Sequence, residues 1–398
     1  MGSDPIKTIP PNHLTARDAV LHLRGSKIRE VANASLGKSD VLAFWFGEPD
    51  ELTPEFIRRA GVDSLAAGET FYTHNYGIAE LRAALAAYLS GLHRPVAVEE
   101  IIVTASGMSA LMLATQALVG HGDRVVEVTP LWPNLVEIPK VLGAHVECLP
   151  LDFSPAGWTL DLDRLLSALT PGTRALYINA PNNPTGWTIT REEQKQILDH
   201  CRRLGIWIIA DDAYDRMWFG VGRAAPAFLD IAEKDDRLVT TNTFSKSWSM
   251  TGWRIGWLVA PPELAVQVGK LIEYNTSCVP VFVQRAGLAA LQSGEPVIRR
   301  TVERYRRARD FLIPKLNAIP GVEAALPAGA IYAFFRVEGM TDSLAFCKKL
   351  VVDAGLGLAP GAAFGPEGVG FVRWCFASSE ERLADGIERL AQALGAQR

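Results

Sequence analysis

The sequence is organised around one stretch near its middle, Leu238-Val239-Thr240-Thr241-Asn242-Thr243-Phe244-Ser245-Lys246, which Arg254 follows eight residues later. Its first five residues resemble a β-strand, and the hydroxyl and lysine side chains begin where that strand ends. Hydroxyl groups and an arginine suit an anion such as a phosphate, and a sheltered lysine amine can lose its proton and act as a nucleophile. This combination indicates an enzyme that holds a phosphorylated aldehyde cofactor as a Schiff base.

Short apolar runs recur on both sides of this stretch. They are too short for helices and apolar throughout, as strands covered on both faces are expected to be. Amphipathic helical patterns, such as residues 109–119 and 191–204, separate most of them. The alternation predicts a mostly parallel sheet in an α/β domain, with strands at residues 101–103, 124–128, 175–178, 206–210, 238–242 and 255–260.

Polar or aromatic residues follow five of these runs, at the points where the strands end. In open α/β sheets, ligands bind beyond the carboxyl ends of the strands, so these groups are expected to share one rim. Five strand ends that all supply such groups are hard to explain as structure alone. The groups are Ser106-Gly107-Met108, Trp132, residues 179–186, residues 211–214 and residues 243–246.

The composition is that of a soluble globular protein, with 48% hydrophobic and 21% charged residues. A net charge of −4 is too mild, and of the wrong sign, for nucleic acid to be the main partner. Five widely spaced cysteines without a Cys-x-x-Cys pair predict neither a disulfide framework nor a metal site. No targeting segment is visible, and no apolar run approaches the ~18 residues of a membrane helix. We therefore expect a cytoplasmic protein that binds neither membrane nor nucleic acid.

The 398 residues are enough for two domains, because single cores rarely exceed roughly 250–300 residues. Beyond Pro261 a helical pattern leads out of the sheet, and a long helix over 295–317 follows. Strand-like and helix-like segments then alternate, which predicts a smaller α+β domain. We expect an N-terminal arm and first helix at 1–45 that pack with the small domain, a large cofactor-binding domain at 46–290 and a small C-terminal domain at 291–398.

From about residue 40 onward, the chain resembles the fold-type I pyridoxal-phosphate enzymes of the class I and II aminotransferase family. The ordered set of motifs carries this resemblance, since any one motif alone is weak. The resemblance implies a three-layer α/β/α large domain with a mostly parallel, seven-stranded sheet, a smaller α+β domain, and pyridoxal 5'-phosphate as cofactor. The motifs are Tyr72 to Gly77, Ser106-Gly107, Gly122-Asp123, Asn179-Ala180-Pro181-Asn182-Asn183-Pro184-Thr185-Gly186, Asp211-Asp212-Ala213-Tyr214, Ser245-Lys246 with Arg254, and Arg373.

The resemblance implies catalytic roles for Lys246, Asp211 and Tyr214. Lys246 matches the Schiff-base lysine, whose amine also shuttles a proton between the substrate α-carbon and the cofactor. Asp211 follows a buried strand, where a carboxylate is costly unless a group such as a pyridinium N–H pairs with it. Asp212 is the competing candidate for this pairing, or else a solvated residue beside it. The Asp-x-x-Tyr spacing to Tyr214 matches the family pattern and favours Asp211. Tyr214 and Asn183 match the hydrogen-bond donors to the ring hydroxyl oxygen, although Asn183 could also be a turn asparagine.

Other residues match those that hold the cofactor's phosphate and ring. Backbone N–H groups at a helix N-terminus attract an anion, which suits the segment after the first strand of the sheet. Tyr72 matches a residue that reaches the phosphate from the neighbouring subunit, which implies a homodimer with shared active sites. The remaining residues of this set are Ser106, Gly107, Met108, Thr243, Ser245 and Arg254, together with Trp132, which stacks on the ring unless it is a core tryptophan.

Three residues are expected to bind the substrate. Arg373 lies between apolar neighbours and needs a strong acceptor, which is a substrate α-carboxylate or else a structural salt bridge. Gly47 matches a site where the backbone approaches the substrate closely, and Asn183 borders the same space. In some bacterial aspartate aminotransferases that this chain resembles, a lysine next to the phosphate loop binds the distal carboxylate of the substrate. Met108 occupies the corresponding position here. With no second arginine at a family position, the sequence favours an uncharged amino donor.

The resemblance implies ping-pong transamination, in which an amino acid gives its amine to the cofactor and a 2-oxo acid takes it back. A carbon–sulfur β-lyase on the same fold is one alternative, because the same carbanion can expel a leaving group. A pyridoxal-phosphate-binding regulator without catalysis is an alternative of another class. Such regulators resemble aminotransferases fused to a DNA-binding domain, for which no room is visible before residue 40.

Overall fold

A seven-stranded sheet forms the centre of the protein in the computed structural model, which describes residues 16–395. Numbered along these residues, the strands are β1 (Leu42–Ala43), β2 (Ile101–Thr104), β3 (Arg124–Thr129), β4 (His145–Pro150), β5 (Asp152–Ser154), β6 (Gly157–Thr159), β7 (Thr173–Asn179), β8 (Trp207–Asp211), β9 (Leu238–Thr243), β10 (Gly256–Val259), β11 (Val322–Ala324), β12 (Tyr332–Val337), β13 (Leu356–Gly357), β14 (Ala359–Pro360) and β15 (Phe371–Cys375). The central sheet has the order β2-β10-β9-β8-β7-β3-β4. Neighbours are parallel, except that β10 runs antiparallel to β2 and β9. The predicted mostly parallel sheet of seven strands is confirmed.

One strand of this sheet, β4, has no counterpart among the six predicted runs. It lies at the edge and pairs only with β3, so it is less covered than the inner strands. Its side chains alternate irregularly between exposed and buried, with polar residues such as Glu147 in the exposed set. A continuous apolar run is the signal of a strand covered on both faces; β2, at the other edge, is buried throughout and carries this run, whereas β4 is largely uncovered and does not.

Helices cover both faces of the sheet. The described helices are α1 (Asp18–Leu21), α2 (Lys27–Asn33), α3 (Glu55–Ala66), α4 (Ala79–Ser90), α5 (Gly107–Leu118), α6 (Pro133–Val141), α7 (Leu162–Ala168), α8 (Arg191–Leu204), α9 (Phe244–Ser247), α10 (Pro262–Glu273), α11 (Val281–Ser293), α12 (Glu295–Asn317), α13 (Ser343–Asp353) and α14 (Glu380–Gly395). Successive strand residues face opposite sides, and Ile208 and Ile209 accordingly belong to two separate apolar clusters. Residues of α5 and α10 join the cluster of Ile209, whereas Ile197 of α8 joins that of Ile208. This arrangement is the predicted three-layer α/β/α structure. No helix within residues 16–395 combines the length and the apolar character needed to cross a membrane.

A smaller antiparallel sheet, in the order β11-β12-β15-β14, lies towards the C-terminus. It packs with α12, α13 and α14, and α12 spans the residues predicted for the long helix. The chain before residue 45 also contacts this part, because β1 pairs with β13 and α2 packs on α13 and β14. The proposed division at residues 45 and 290 remains a prediction. The first 15 residues of the predicted N-terminal arm lie outside the described range.

Strand direction gathers the polar groups at one edge of the central sheet. The strands β7, β8 and β9 are parallel and end at Asn179, Asp211 and Thr243. The strand β10 is antiparallel and begins at this edge, where Gly256 pairs with Thr243. Arg254 therefore reaches the same rim from the start of a strand, whereas the other groups reach it from strand ends.

The turn after β7 contacts the segment that precedes β12. The Gly186 carbonyl accepts hydrogen bonds from the backbone N–H groups of Ala328 and Gly329, both at 3.1 Å. Gly186 has a φ of +70°, and a Cβ added to it would lie 2.3 Å from Pro327 Cβ. A side chain at this position would meet both backbone strain and a steric overlap.

We expect Gly186→Ala to destabilise the protein by about 2–4 kcal/mol, because conformational strain and overlap with Pro327 add. Gly339→Ala is the matched control, since Gly339 has a φ of +75° but no atom within 4 Å of an added Cβ. This control is expected to cost only about 1 kcal/mol. Urea unfolding of both variants measures the difference, and equal losses would show that the contact with Pro327 is not tight.

Candidate active site

A cavity of about 400 Å³ opens at this rim of the central sheet. The small sheet contributes Tyr332 and Arg373 to its wall, and the region before residue 48 contributes Ser26, Ile28, Arg29, Phe46 and Gly47. Most residues singled out in the sequence meet here. The predicted site residues that line the cavity are Gly47, Gly107, Met108, Trp132, Asn183, Asp211, Tyr214, Thr243, Ser245, Lys246, Arg254 and Arg373.

Two predicted site residues do not line the cavity. The Ser106 side chain caps α5, because its Oγ accepts a hydrogen bond of 3.1 Å from the Ser109 backbone N–H. Tyr72 is 90% exposed, and its predicted contact belongs to a second chain. The predicted role of Tyr72 therefore remains a prediction.

The amine of Lys246 lies within the wall of this cavity. Its Nζ donates a hydrogen bond to the Gly47 carbonyl oxygen and lies 5.9 Å from the centre of the Tyr214 ring. Burial lowers the pKa of Lys246 from 10.5 to about 8, with the positive charges of Arg373 and Arg254 acting in the same direction and Cys375 and Glu48 opposing the shift. The lowered pKa favours the neutral amine that a nucleophile or base requires.

Asp211 is a buried carboxylate without a cationic partner among the described residues. It is 6% exposed, and its Oδ1 accepts one hydrogen bond of 3.2 Å from the Ala213 backbone N–H. Burial raises its pKa to about 7, against the lowering effects of the Ala213 N–H and the Lys246 charge. A ligand that brings a cationic N–H donor would stabilise this carboxylate.

The neighbouring Asp212 is buried as well, at 8% exposure, so the alternative of a solvated neighbour does not hold for it. Burial raises its pKa well above the usual range, and the negative charges of Asp215, Asp211 and Asp230 add to the effect. Asp212 does not line the cavity. The geometry therefore agrees with the choice of Asp211 as the group that faces a ligand.

Arg373 is 2% exposed and has no carboxylate partner among the described residues. Its Nη1 donates a hydrogen bond of 2.8 Å to Asn183 Oδ1, its Nη2 donates to the Trp45 carbonyl oxygen, and its Nε is unpaired. The structural salt bridge considered as an alternative is absent from residues 16–395. A buried guanidinium without an anionic partner can bind the carboxylate of a ligand in the cavity.

The groups expected around a phosphate lie next to one another. Thr243 Oγ1 is 2.8 Å from Ser245 Oγ and accepts a hydrogen bond of 3.1 Å from the Ser245 N–H. Arg254 has a φ of +50°, and its Nη1 donates to the Thr251 carbonyl oxygen at 2.6 Å. A Cβ added to Gly107 would lie 3.2 Å from Thr243 Cβ. Hydroxyls, a guanidinium and the N-terminus of α5 thus border one space, which suits an anion.

Sequence reasoning missed Tyr332 and Arg29 in this wall. Tyr332 belongs to a predicted strand-like segment, but a strand pattern does not reveal which neighbours a buried tyrosine meets. Its hydroxyl occupies the space beside Gly47, where an added Cβ would lie 1.8 Å from the Tyr332 oxygen. The missing side chain at Gly47 thus leaves room for Tyr332, and the expected close approach of its backbone to the substrate remains a prediction. Arg29 follows a helix cap at Ser26, and only the fold brings it to the cavity.

The sequence matches the model of the aminotransferase class I and II family over residues 39–390. The chain belongs to this family. An aspartate aminotransferase of Pyrococcus horikoshii is 34% identical to it, over 95% of this chain and 96% of that protein. A probable aspartate/prephenate aminotransferase of Aquifex aeolicus is 36% identical, over 89% and 91% of the two chains. A solved aspartate aminotransferase of Thermotoga maritima has a TM-score of 0.87 at 32% identity, covering 96% of this chain and 100% of that one.

This aminotransferase therefore has the activity class and the fold type that the motifs predicted. These relatives favour neither the β-lyase nor the non-catalytic regulator. The site also fits the cofactor expected for the family, because within the described part of the chain Asp211 lacks a cationic partner and Arg373 an anionic one, and because hydroxyls and Arg254 line the same cavity.

We expect Asp211→Asn to stabilise the cofactor-free protein at pH 8. Because the pKa of Asp211 is raised from 3.8 to about 7, the folded state retains a proton between about pH 4 and 7 that the unfolded chain releases. The buried charge then costs up to ~4 kcal/mol above pH 7 and nothing near pH 4.

Urea unfolding at pH 8 and pH 4 measures this effect, with the exposed Asp235→Asn as control. The gain from Asp211→Asn is expected at pH 8 only. A loss of stability at pH 8, or an equal change at both pH values, would contradict an uncompensated charge at Asp211.

Proposed function

We propose that the enzyme exchanges an amino group between an amino acid and a 2-oxo acid with pyridoxal 5'-phosphate bound in this cavity. When bound, this cofactor condenses with amines and withdraws the electrons that remain when a proton leaves the substrate α-carbon. The observation that carries the proposal is the meeting of Lys246, Asp211 and Arg373 in one cavity without ion-pair partners from the described chain.

Each of these residues has a chemical task in the proposal. Lys246 is the covalent attachment point, and once displaced its neutral Nζ accepts the proton from the substrate α-carbon. Asp211 would pair with the ring nitrogen of the cofactor, and the Tyr214 hydroxyl and the Asn183 amide would donate hydrogen bonds to its ring hydroxyl oxygen. Arg373 holds the substrate α-carboxylate, so that the α-proton lies near Lys246.

The phosphate is assigned to the groups around the N-terminus of α5. Thr243, Ser245 and Arg254 would supply side-chain donors, and Gly107 and Met108, at the N-terminus of α5, line the same cavity and would supply backbone N–H groups. Ser106 contributes by capping the helix that presents these groups. Trp132 lines the cavity and is proposed to stack on the ring.

We further propose a cytoplasmic homodimer in which Tyr72 completes the site of the partner. Phe71 and Tyr72 are 82% and 90% exposed, and the next residue, Thr73, contacts Cys278 through its backbone N–H at 3.5 Å. Tyr274, near Cys278, is 91% exposed. Exposed aromatic side chains such as these favour association with another chain. All five cysteines are unpaired, which suits a reducing compartment.

We expect the protein with bound cofactor to convert one equivalent of amino acid to 2-oxo acid per site, and to need a second 2-oxo acid for further turnover. Lys246→Ala is expected to reduce the rate of this half-reaction by at least about 10⁴-fold, because both the nucleophile and the base are lost. The exposed Lys234→Ala is the control.

Rapid mixing with a panel of amino acids, followed by analysis of the 2-oxo acid, measures the half-reaction. Cystathionine and cysteine conjugates belong in the panel, because release of thiol and pyruvate without amine transfer would indicate a β-lyase. Full half-reaction rates in Lys246→Ala would contradict the assignment of Lys246.

For the amino donor we propose an acidic side chain such as that of aspartate, which revises the uncharged donor favoured by the sequence. That preference depended on the lack of a second cationic residue, and Arg29 now supplies one at the cavity wall. Arg29 is exposed, forms no ion pair within residues 16–395, and lies 5.9 Å from the centre of the Phe46 ring. The relatives named aspartate aminotransferases support the same choice.

We expect Arg29→Met to lower kcat/KM for aspartate by about 10- to 100-fold, as loss of a charge-assisted hydrogen bond predicts. The kcat/KM for leucine is expected to change less than about threefold. Arg24→Met is the control, because Arg24 lies nearby but does not line this cavity. Equal losses for both donors would assign Arg29 a structural role, and no loss would place the distal carboxylate elsewhere.

A further inference from the structure

Tyr332 lies among three groups of the site and is almost completely buried, at 1% exposure. We propose that Tyr332 is a positioning residue that holds Tyr214, Arg373 and the Gly47 backbone in their working arrangement. This inference rests on the proposed function of the site.

The hydroxyl of Tyr332 forms its hydrogen bond with Tyr214. The two hydroxyl oxygens are 2.7 Å apart, and the rings meet edge to face with centres 5.6 Å apart. Burial raises the pKa of Tyr332 to about 12 and that of Tyr214 well above its usual range, so both phenols keep their protons. If Tyr332 donates to Tyr214, the proton of Tyr214 is free for an acceptor in the cavity. Tyr214 also becomes a stronger donor, because hydrogen bonds in a chain polarise one another.

The ring of Tyr332 supports Arg373. The guanidinium carbon lies 4.3 Å from the centre of this ring and 4.8 Å from that of Phe364. These two aromatic contacts hold the guanidinium while its Nη atoms bond to Asn183 and to the Trp45 carbonyl. The face of the ring therefore fixes the residue that is proposed to hold the substrate carboxylate.

The edge of Tyr332 fixes the Gly47 backbone. A Cβ on Gly47 would lie 1.8 Å from the phenol oxygen and 2.8 Å from Cζ, distances that real Cβ atoms do not tolerate. The carbonyl of Gly47 accepts the hydrogen bond of Lys246 Nζ. A displacement at this contact would thus reach Lys246 on one side and Tyr214 on the other.

Tyr332→Phe tests the hydroxyl alone, because the ring remains against Arg373. We expect the pH midpoint of the bound cofactor's visible absorption to rise by about 0.3–1 unit, since weaker donation from Tyr214 stabilises the anionic ring oxygen less. We expect kcat to fall by about 5- to 20-fold and KM for the amino acid to change less than about threefold. Tyr332→Leu also removes the ring and is expected to raise KM by a further tenfold or more.

Tyr305→Phe is the matched control, because Tyr305 is equally buried but lies in α12, outside the cavity. A merely structural loss of a buried hydroxyl would lower the thermal midpoint in both phenylalanine variants and leave the cofactor titration unchanged. A titration shift confined to Tyr332→Phe is the result expected from positioning.

A double-mutant cycle gives a second test that does not depend on Tyr332→Phe folding well. Gly47→Ala alone displaces the phenol without removing it, and is expected to shift the cofactor titration in the same direction. In the Tyr332→Phe background the same change is expected to cost at least about fivefold less in kcat/KM, because the closest overlap, 1.8 Å with the hydroxyl, is gone and only the milder one of 2.8 Å with Cζ remains.

The role of Tyr332 would be overturned if the losses of kcat/KM in this cycle were additive and the pH midpoint of the cofactor absorption were unchanged in both single variants. Such a result leaves the proposed function standing if the unmodified protein still completes its half-reaction. Failure of the unmodified protein to bind the cofactor or to transfer an amine would instead overturn the proposed function itself.

Discussion

The site depends on the burial of charged groups that have no ion-pair partner among residues 16–395, at the edge of the central sheet. Burial moves the pKa of Asp211 up to about 7 and that of Lys246 down to about 8, so the two groups approach each other in proton affinity. Neither shift benefits the folded chain, because each reflects the cost of removing a charge from water. The cost has a function if a ligand supplies the missing partners. Buried groups with strongly shifted pKa values are frequent at active sites.

Chain topology brings these groups together before any side chain is considered. Parallel strands end at the same edge, and this places Asn179, Asp211 and Thr243 side by side. The one antiparallel neighbour, β10, begins there and adds Arg254. The small sheet then contributes Arg373 and Tyr332 from the opposite wall. Charges that are separated by more than a hundred residues in the sequence therefore act within one cavity of about 400 Å³.

The sequence predicted what depends on local pattern, and missed what depends on contacts across the fold. Apolar runs identified the inner strands, and the polar residues after them identified Asp211 and Lys246. The edge strand β4 was missed because its exposed face carries no apolar run. A solvated position was left open for Asp212, which is buried, because neighbouring charges alone do not show which side of a strand end faces water. Arg29 and the hydrogen bond of Tyr332 to Tyr214 join residues far apart in the chain, so no spacing signals them.

The central claim is that Lys246 is the covalent attachment point of the cofactor. Hydride reduction of the protein with bound pyridoxal 5'-phosphate, followed by proteolysis and mass spectrometry, identifies the modified lysine directly. The account predicts one modified site per chain, on the peptide that contains Lys246, and no modification of that peptide when an excess of amino acid substrate is present during reduction. Stoichiometric modification of another lysine, with Lys246 unmodified, would contradict it.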